Sequence, residues 1–323
     1  MNEQVNSYSR IPRRALLALP ALAGASPMHA RAQAARPTAL ATTGMIADLV
    51  RGVGGTAITT ETLIGEGVDP HLFRPTRNDI ARILRADALF YNGHRLEGRM
   101  HEVLDRAAAQ GKPSLAVAEA IPRSRLRQHD DYPDAADPHV WMDPMLWAEA
   151  LPAIAATLGR LPRLPSLDAG VASTRAQLHR LDAYARDVLA PIPAERRVLV
   201  TAHDAFAYFG LRYQFQVESI QGLSTEAEAS LARIEAMVRL IVERRIPAIF
   251  TESSVPDRAV RALIQGVAAR GHQVRLGGTL FSDSMGRPGT YRGTYEGMMD
   301  HNITTIARAL GGSAPERGMN GRL

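Results

Sequence analysis

Short runs rich in Val, Ile, Leu and Thr alternate with amphipathic stretches through most of this chain, and that alternation leaves few folds open. Between Arg36 and about Arg160, residues 39–42, 57–64, 88–91 and 114–117 read as strands, with 139–142 as a further one. Residues 57–64, AITTETLI, read as a buried strand. Helices fall between them, at 45–50 and after Thr76, where Thr76 with Asp79 predicts a capping box. A long amphipathic stretch follows, with Val171, Leu178, Leu181, Ala185 and Val188 on one face. Pro162 and Pro165 precede it, and Pro191 and Pro193 end it, so it reads as one helix bridging two lobes. The alternation then resumes, with strands at 197–201, 214–220, 248–251 and 273–276. Ser224 or Thr225 is expected to cap a helix whose apolar face is Leu231, Ile234, Val238 and Ile241. A last helix carries Met299, Ile303, Ile306 and Leu310 and stops at Gly311. The expected class is α/β, two (β/α) lobes with mostly parallel sheets. The expected boundaries are 35–162 for the first lobe, 163–192 for the joining helix, 193–312 for the second lobe and 313–323 for a frayed tail.

Residues 1–34 read as a cleaved signal peptide. Arg13 and Arg14 precede an apolar run from Ala15 to Ala25, and Ala32-Gln33-Ala34 offers a small-residue cleavage site. The arginine pair leans toward the twin-arginine type, while Pro12 before it leaves an ordinary signal open. Removing this segment takes away four arginines and Glu3, so the formal charge of +5 falls to about +2. The basic balance therefore says little about partners. Lys112 is the sole lysine, and the arginines form no nucleic-acid stripe, so no nucleic-acid partner is expected. The chain has no cysteine, which excludes disulfides and a lipid on an N-terminal cysteine. A soluble periplasmic monomer, not a lipoprotein, is expected.

The chemistry concentrates in loops. Gly65–Pro75, GEGVDPHLFRP, breaks a strand with glycines and Asp69-Pro70, and His71 emerges on the turn. Residues 137–144, DPHVWMDP, repeat the Asp-Pro-His triplet around His139. His203 follows the strand at 197–201, and Asp283 follows the one at 273–276. Two candidates thus come from each half, all placed at strand ends, where open α/β sheets bind ligands. Three imidazoles and one carboxylate make a nitrogen/oxygen site for one divalent ion such as Zn2+ or Mn2+. Asp69, Glu252 and His301 are candidates for outer partners of those ligands.

The chain resembles the metal-binding proteins of bacterial zinc and manganese ABC importers, the TroA-like cluster 9 family. The residues carrying the likeness are GEGVDPHLFRPTRNDI, YNGHRLEGRM, DPHVWMDP, TAHDAFAYFG, ESIQGLSTEAEAS, IFTESSVPDRAV and LFSDSMGRPGTYRGTYEGMMDHN. The likeness implies two lobes joined by one long rigid helix, with the metal between them and His71, His139, His203 and Asp283 as ligands. It implies a solute-binding protein that delivers the ion, as transported ligand, to an inner-membrane ABC permease. Two departures leave zinc and manganese both open. Residues 123–136 lack the His-rich loop of zinc-dedicated members, and His203 stands where many manganese-dedicated members have glutamate. An exported metal-dependent hydrolase is the alternative. Against it, four ligands would leave a tetrahedral ion no open position, and the chain contains no HExxH-like motif.

Overall fold

Strand β1 (Thr38–Ala41) is the buried spine of the first half, with β2 (Thr59–Thr62) on one side and β3 (Ala88–Tyr91) on the other. Strand β4 (Ser114–Ala116) completes a parallel sheet of order β2-β1-β3-β4. The computed structural model describes residues 36–129 and 132–323, so the signal peptide expected at 1–34 lies outside the described residues. Three crossover helices connect the strands: α1 (Gly44–Gly54), α2 (Arg77–Arg85) and α3 (His101–Ala109). The capping box at Thr76 and Asp79 is present, each side chain bonded to the other's backbone N–H. Strand β2 is shorter than expected and is not buried. It forms the sheet edge, where Thr59 and Glu61 face solvent and one face alone needs covering.

The strand expected at 139–142 does not form. Val140–Met142 is a single 3-10 turn, because Pro138 and Pro144 remove ladder donors on both sides. Asp143 instead caps α4 (Pro144–Trp147), its carboxylate accepting from the N–H groups of Met145 and Leu146. Helix α5 (Leu151–Leu158) leads to the long α6 (Asp168–Leu189), which buries Leu178, Leu181, Ala185 and Val188 as its periodicity predicts.

The second half follows the same βα logic. Strand β5 (Val198–Thr201), helix α7 (Ala207–Tyr213) and strand β6 (Gln216–Ser219) form one parallel pair with its connection. Helix α8 (Leu231–Glu243), strand β7 (Ala248–Glu252), helix α9 (Arg258–Ala269) and strand β8 (Arg275–Leu280) form the next, and β7 lies beside β5. Helix α10 (Tyr295–Leu310) closes the fold and ends at Gly311, whose φ of 97° is the left-handed stop expected there. Helix α8 is capped by Ser230, which accepts from Arg233 N–H, and not by Ser224 or Thr225. Thr225 is drawn away to bond Asp69 in the other half, and Leu231, expected inside, is 72% exposed.

The halves share one core. A continuous apolar cluster runs from Ile46 and Leu49 on α1, through Leu178 and Leu181 on α6, to Ile303 and Ile306 on α10. Satellite clusters sit around Ile83 and Leu89 in the first half and Ile241 and Ile249 in the second. The tail, expected to fray, is tied down instead. Asp300 accepts from the Met319 N–H at 2.9 Å, and the Arg322 guanidinium lies 4.3 Å from the centre of the Tyr291 ring.

Candidate metal centre

Four loops converge where the halves meet. His71 comes from the β2–α2 loop, His139 from the turn before α4, His203 from the end of β5 and Asp283 from the loop after β8. His203 and Asp283 follow their strands closely, whereas His71 lies well beyond the end of β2 and the loop of His139 reaches the site from beyond β4. One donor atom from each of the four lies within 4.8 Å of every other. The three Nε2 atoms all face the Asp283 carboxylate. His71 is 3.6 Å and His203 3.1 Å from Oδ2, and His139 is 3.5 Å from Oδ1. Ligands held about 2.0–2.1 Å from a tetrahedral ion lie roughly 3.3 Å apart, so these spacings match.

All three Nε2 atoms and both Asp283 oxygens are buried without a hydrogen-bond partner. Each such atom costs about 1–3 kcal/mol unless something satisfies it. A divalent cation would satisfy all five. The four residues present five such atoms because Asp283 turns both oxygens toward the histidines.

The backs of two imidazoles are held by carboxylates. His203 Nδ1 lies 2.5 Å from Glu252 Oε2, and Glu252 Oε1 also accepts the His203 N–H. His139 Nδ1 lies 2.8 Å from Asp137 Oδ1, which also accepts the His139 N–H. Such a bond fixes the tautomer, leaving Nε2 as the free lone pair that a metal needs. Glu252, one of the outer partners expected from the sequence, makes this contact with His203. Asp137 was missed, although its place two residues before His139 in the repeated triplet mirrors Asp69. Asp69 does something different: it accepts the His71 backbone N–H at 2.8 Å and the Thr225 hydroxyl, so it shapes the loop. The expectation for His301 is overturned. Its Nε2 pairs with the Thr279 carbonyl at 2.9 Å and its ring packs on Phe281, so among the described residues it is directed away from the four.

Burial opposes charge at this centre, and the neighbours decide which groups keep it. Burial pushes the His71 pKa down to about 3, so that imidazole is neutral at pH 7. Burial acts on His203 too, but Glu252 and Asp283 outweigh it and hold its pKa well above the ordinary imidazole value. Asp283 is likewise desolvated, yet the three imidazoles, His203 foremost, hold its carboxyl well below the usual range.

The Asp283 loop is positioned from the other half of the molecule as well as its own. Trp141 Nε1 donates to the Ser282 carbonyl at 3.0 Å, and Asn302 bonds both backbone groups of Phe281. Glu252→Gln and Asp137→Asn are each expected to weaken Zn2+ binding by roughly 10–100-fold while leaving the fold intact. Competition against a chromophoric chelator measures this, and an unchanged affinity would show that these carboxylates do not support the ligands.

Comparison with known proteins places the chain. Residues 40–309 match the family described as zinc-uptake complex component A, periplasmic (ZnuA). The chain is 43% identical over 272 residues to the manganese-binding lipoprotein MntA of Bacillus subtilis, covering 84% of this chain and 88% of that protein. It is also 43% identical over 277 residues to the zinc-binding protein TroA of Treponema pallidum, covering 85% of this chain and 89% of that protein. The solved structure of the periplasmic zinc-binding TroA superposes with a TM-score of 0.81, covering 85% of this chain and 99% of that one. The two-lobe α/β architecture, the parallel sheets and the buried His/Asp cluster are thus those of a solute-binding protein of metal ABC transporters and not of an enzyme, and the chain belongs to the ZnuA family.

Proposed function

We propose that this protein captures one Zn2+ or Mn2+ ion through His71, His139, His203 and Asp283 and hands it to an ABC permease in the inner membrane. Five buried, unpartnered donor atoms converging at ligand spacing carry this reading. The first lobe, 35–162, supplies His71 and His139; the second, 193–312, supplies His203 and Asp283; α6 within 163–192 joins them. His71 borders a surface cleft of about 580 Å3 that also touches Arg99, His129 and Glu226, and this cleft offers the ion a way in. The exported-hydrolase alternative has no support from the family. The test is metal analysis of protein taken from its own periplasm without added metal. One equivalent of Zn or Mn per chain, lost in the His71→Ala and His139→Ala double variant, is the expected result; a metal-free protein that binds neither ion in titration would sink the reading.

We also propose that the mature protein is free in the periplasm as a monomer. MntA is named a lipoprotein, whereas this sequence has no cysteine to carry a lipid through a thioether. Mass spectrometry of periplasmic protein should find the N-terminus near Ala35 and no lipid mass. An intact Met1 would refute the cleavage.

A further inference from the structure

The ligand loops of the first lobe are held by more than their own bonds. Both lean on a third segment that contributes no ligand, the loop Asn92–Gly98 after β3. Its backbone is unusual: Gly93, His94, Arg95 and Gly98 have φ of 81°, 49°, 66° and 46°. Two of these are not glycine, and side chains rarely adopt that conformation unless the surroundings impose it. The imposing group is Glu97, which is 1% exposed. Its carboxylate accepts from the Thr42 hydroxyl at 2.7 Å, from Asn92 N–H at 2.5 Å and from Gly93 N–H at 3.3 Å, closing the loop on itself and on β1.

From that fixed base the loop reaches both histidine loops. The Asn92 side-chain amide donates to the carbonyl of Pro138, the residue before His139, at 3.0 Å. His94 Nδ1 accepts the Ala136 N–H at 3.3 Å, just before Asp137. At the far end, Gly98 lies against the backbone of His71, so closely that a Cβ there would sit 2.4 Å from the His71 carbonyl oxygen. No side chain larger than hydrogen fits without moving His71. The same short segment therefore touches the backbone of one ligand and the residue adjoining the other.

We propose that Asn92 and Gly98 are positioning residues, and that the strained Asn92–Gly98 loop sets the separation of His71 and His139 and with it the coordination geometry offered to the ion. This rests on the reading that the four residues bind a divalent metal. Gly98→Ala pushes His71 outward, and Asn92→Asp removes the donor to Pro138 while keeping the side chain's size.

The test loads parent and variants with Co2+, whose visible absorption reports ligand number and geometry, and titrates Zn2+ by chelator competition. Both variants are expected to lose roughly 10-fold or more in Zn2+ affinity, the scale of a lost supporting contact. Their Co2+ bands should also shift or weaken relative to the parent. Gly266→Ala is the control: its Cβ would press on Val238 between α8 and α9, so it should cost stability but leave the Co2+ spectrum unchanged. A folded Gly98→Ala with the parent's spectrum and affinity would overturn the proposal, and Asn92→Asp decides in the same way if Gly98→Ala does not fold. Failure of the parent to bind Co2+ or Zn2+ would instead overturn the metal-site reading itself.

Discussion

Replacing Asp283 with asparagine is expected to lower Mn2+ affinity by roughly 1000-fold, or about 4 kcal/mol, because it removes the one anion among the four ligands. The side chain keeps its size and one oxygen, but its charge is gone, and it is the anion that all three Nε2 atoms face. Zn2+ should suffer less, by roughly one power of ten, because its preference for imidazole nitrogen is still met by three histidines. The amide also brings a new problem. Its NH2 group would point at buried nitrogen lone pairs or at the ion, whereas the carboxylate presents two acceptors inward. Competitive titration of both ions against parent and variant measures the two losses. Unchanged affinity for both would remove Asp283 from the coordination sphere, and an equal loss for both would show that Asp283 contributes charge without setting the preference between the ions.

The second large effect is on stability. Asp182 lies on α6 and is 7% exposed. It accepts from Arg212 at 2.8 and 2.7 Å, from the Tyr213 hydroxyl at 3.1 Å and from Arg186 at 3.0 Å. Arg212, on α7, also reaches Asp143, the cap of α4, at 3.4 Å. One carboxylate and one guanidinium thus pin the joining helix to an element of each half. Asp182→Ala leaves Arg212 half-sheltered and short of its main partner, an expected cost of about 3 kcal/mol once its partial exposure is allowed for. For a chain of this size that corresponds to a fall in Tm of about 5 °C. The pH dependence has a definite sign. Burial would raise the Asp182 pKa, but Arg212 and Arg186 outweigh it and lower the folded value below the ordinary 3.8. Its contribution is therefore complete above that value and is lost as pH falls through the folded pKa. The Tm gap between parent and variant should hold steady from about pH 5 to pH 8 and narrow below about pH 4. A gap that is absent at pH 7 would mean that the cluster is replaceable by solvent.

Local pattern carried the architecture a long way. The βα alternation, the bridging helix at Asp168–Leu189, the Thr76 capping box and the Gly311 stop all follow from periodicity and terminal chemistry that a few neighbouring residues specify. The repeated Asp-Pro-His triplet marked His71 and His139 for the same reason: proline and aspartate act on the residues beside them. His203 and Asp283 were legible by their places after strands.

What local pattern does not encode is which surface a segment meets. Strand β2 and a buried strand have similar β-branched sequences, and the sheet order alone makes β2 an edge. His301 has an acidic neighbour and a motif around it, but α10 aims its ring at Thr279. Asp137 and Glu252 share the task of holding an imidazole, one from two residues away and one from another strand. Thr225 gives up a helix cap to bond Asp69 across the molecule. The inward turn of both Asp283 oxygens depends on Trp141 and Asn302, from opposite halves, gripping the loop before it. These outcomes depend on distances between loops far apart in sequence, and such distances are set by how helices and sheets pack, not by the short-range preferences of the residues within them.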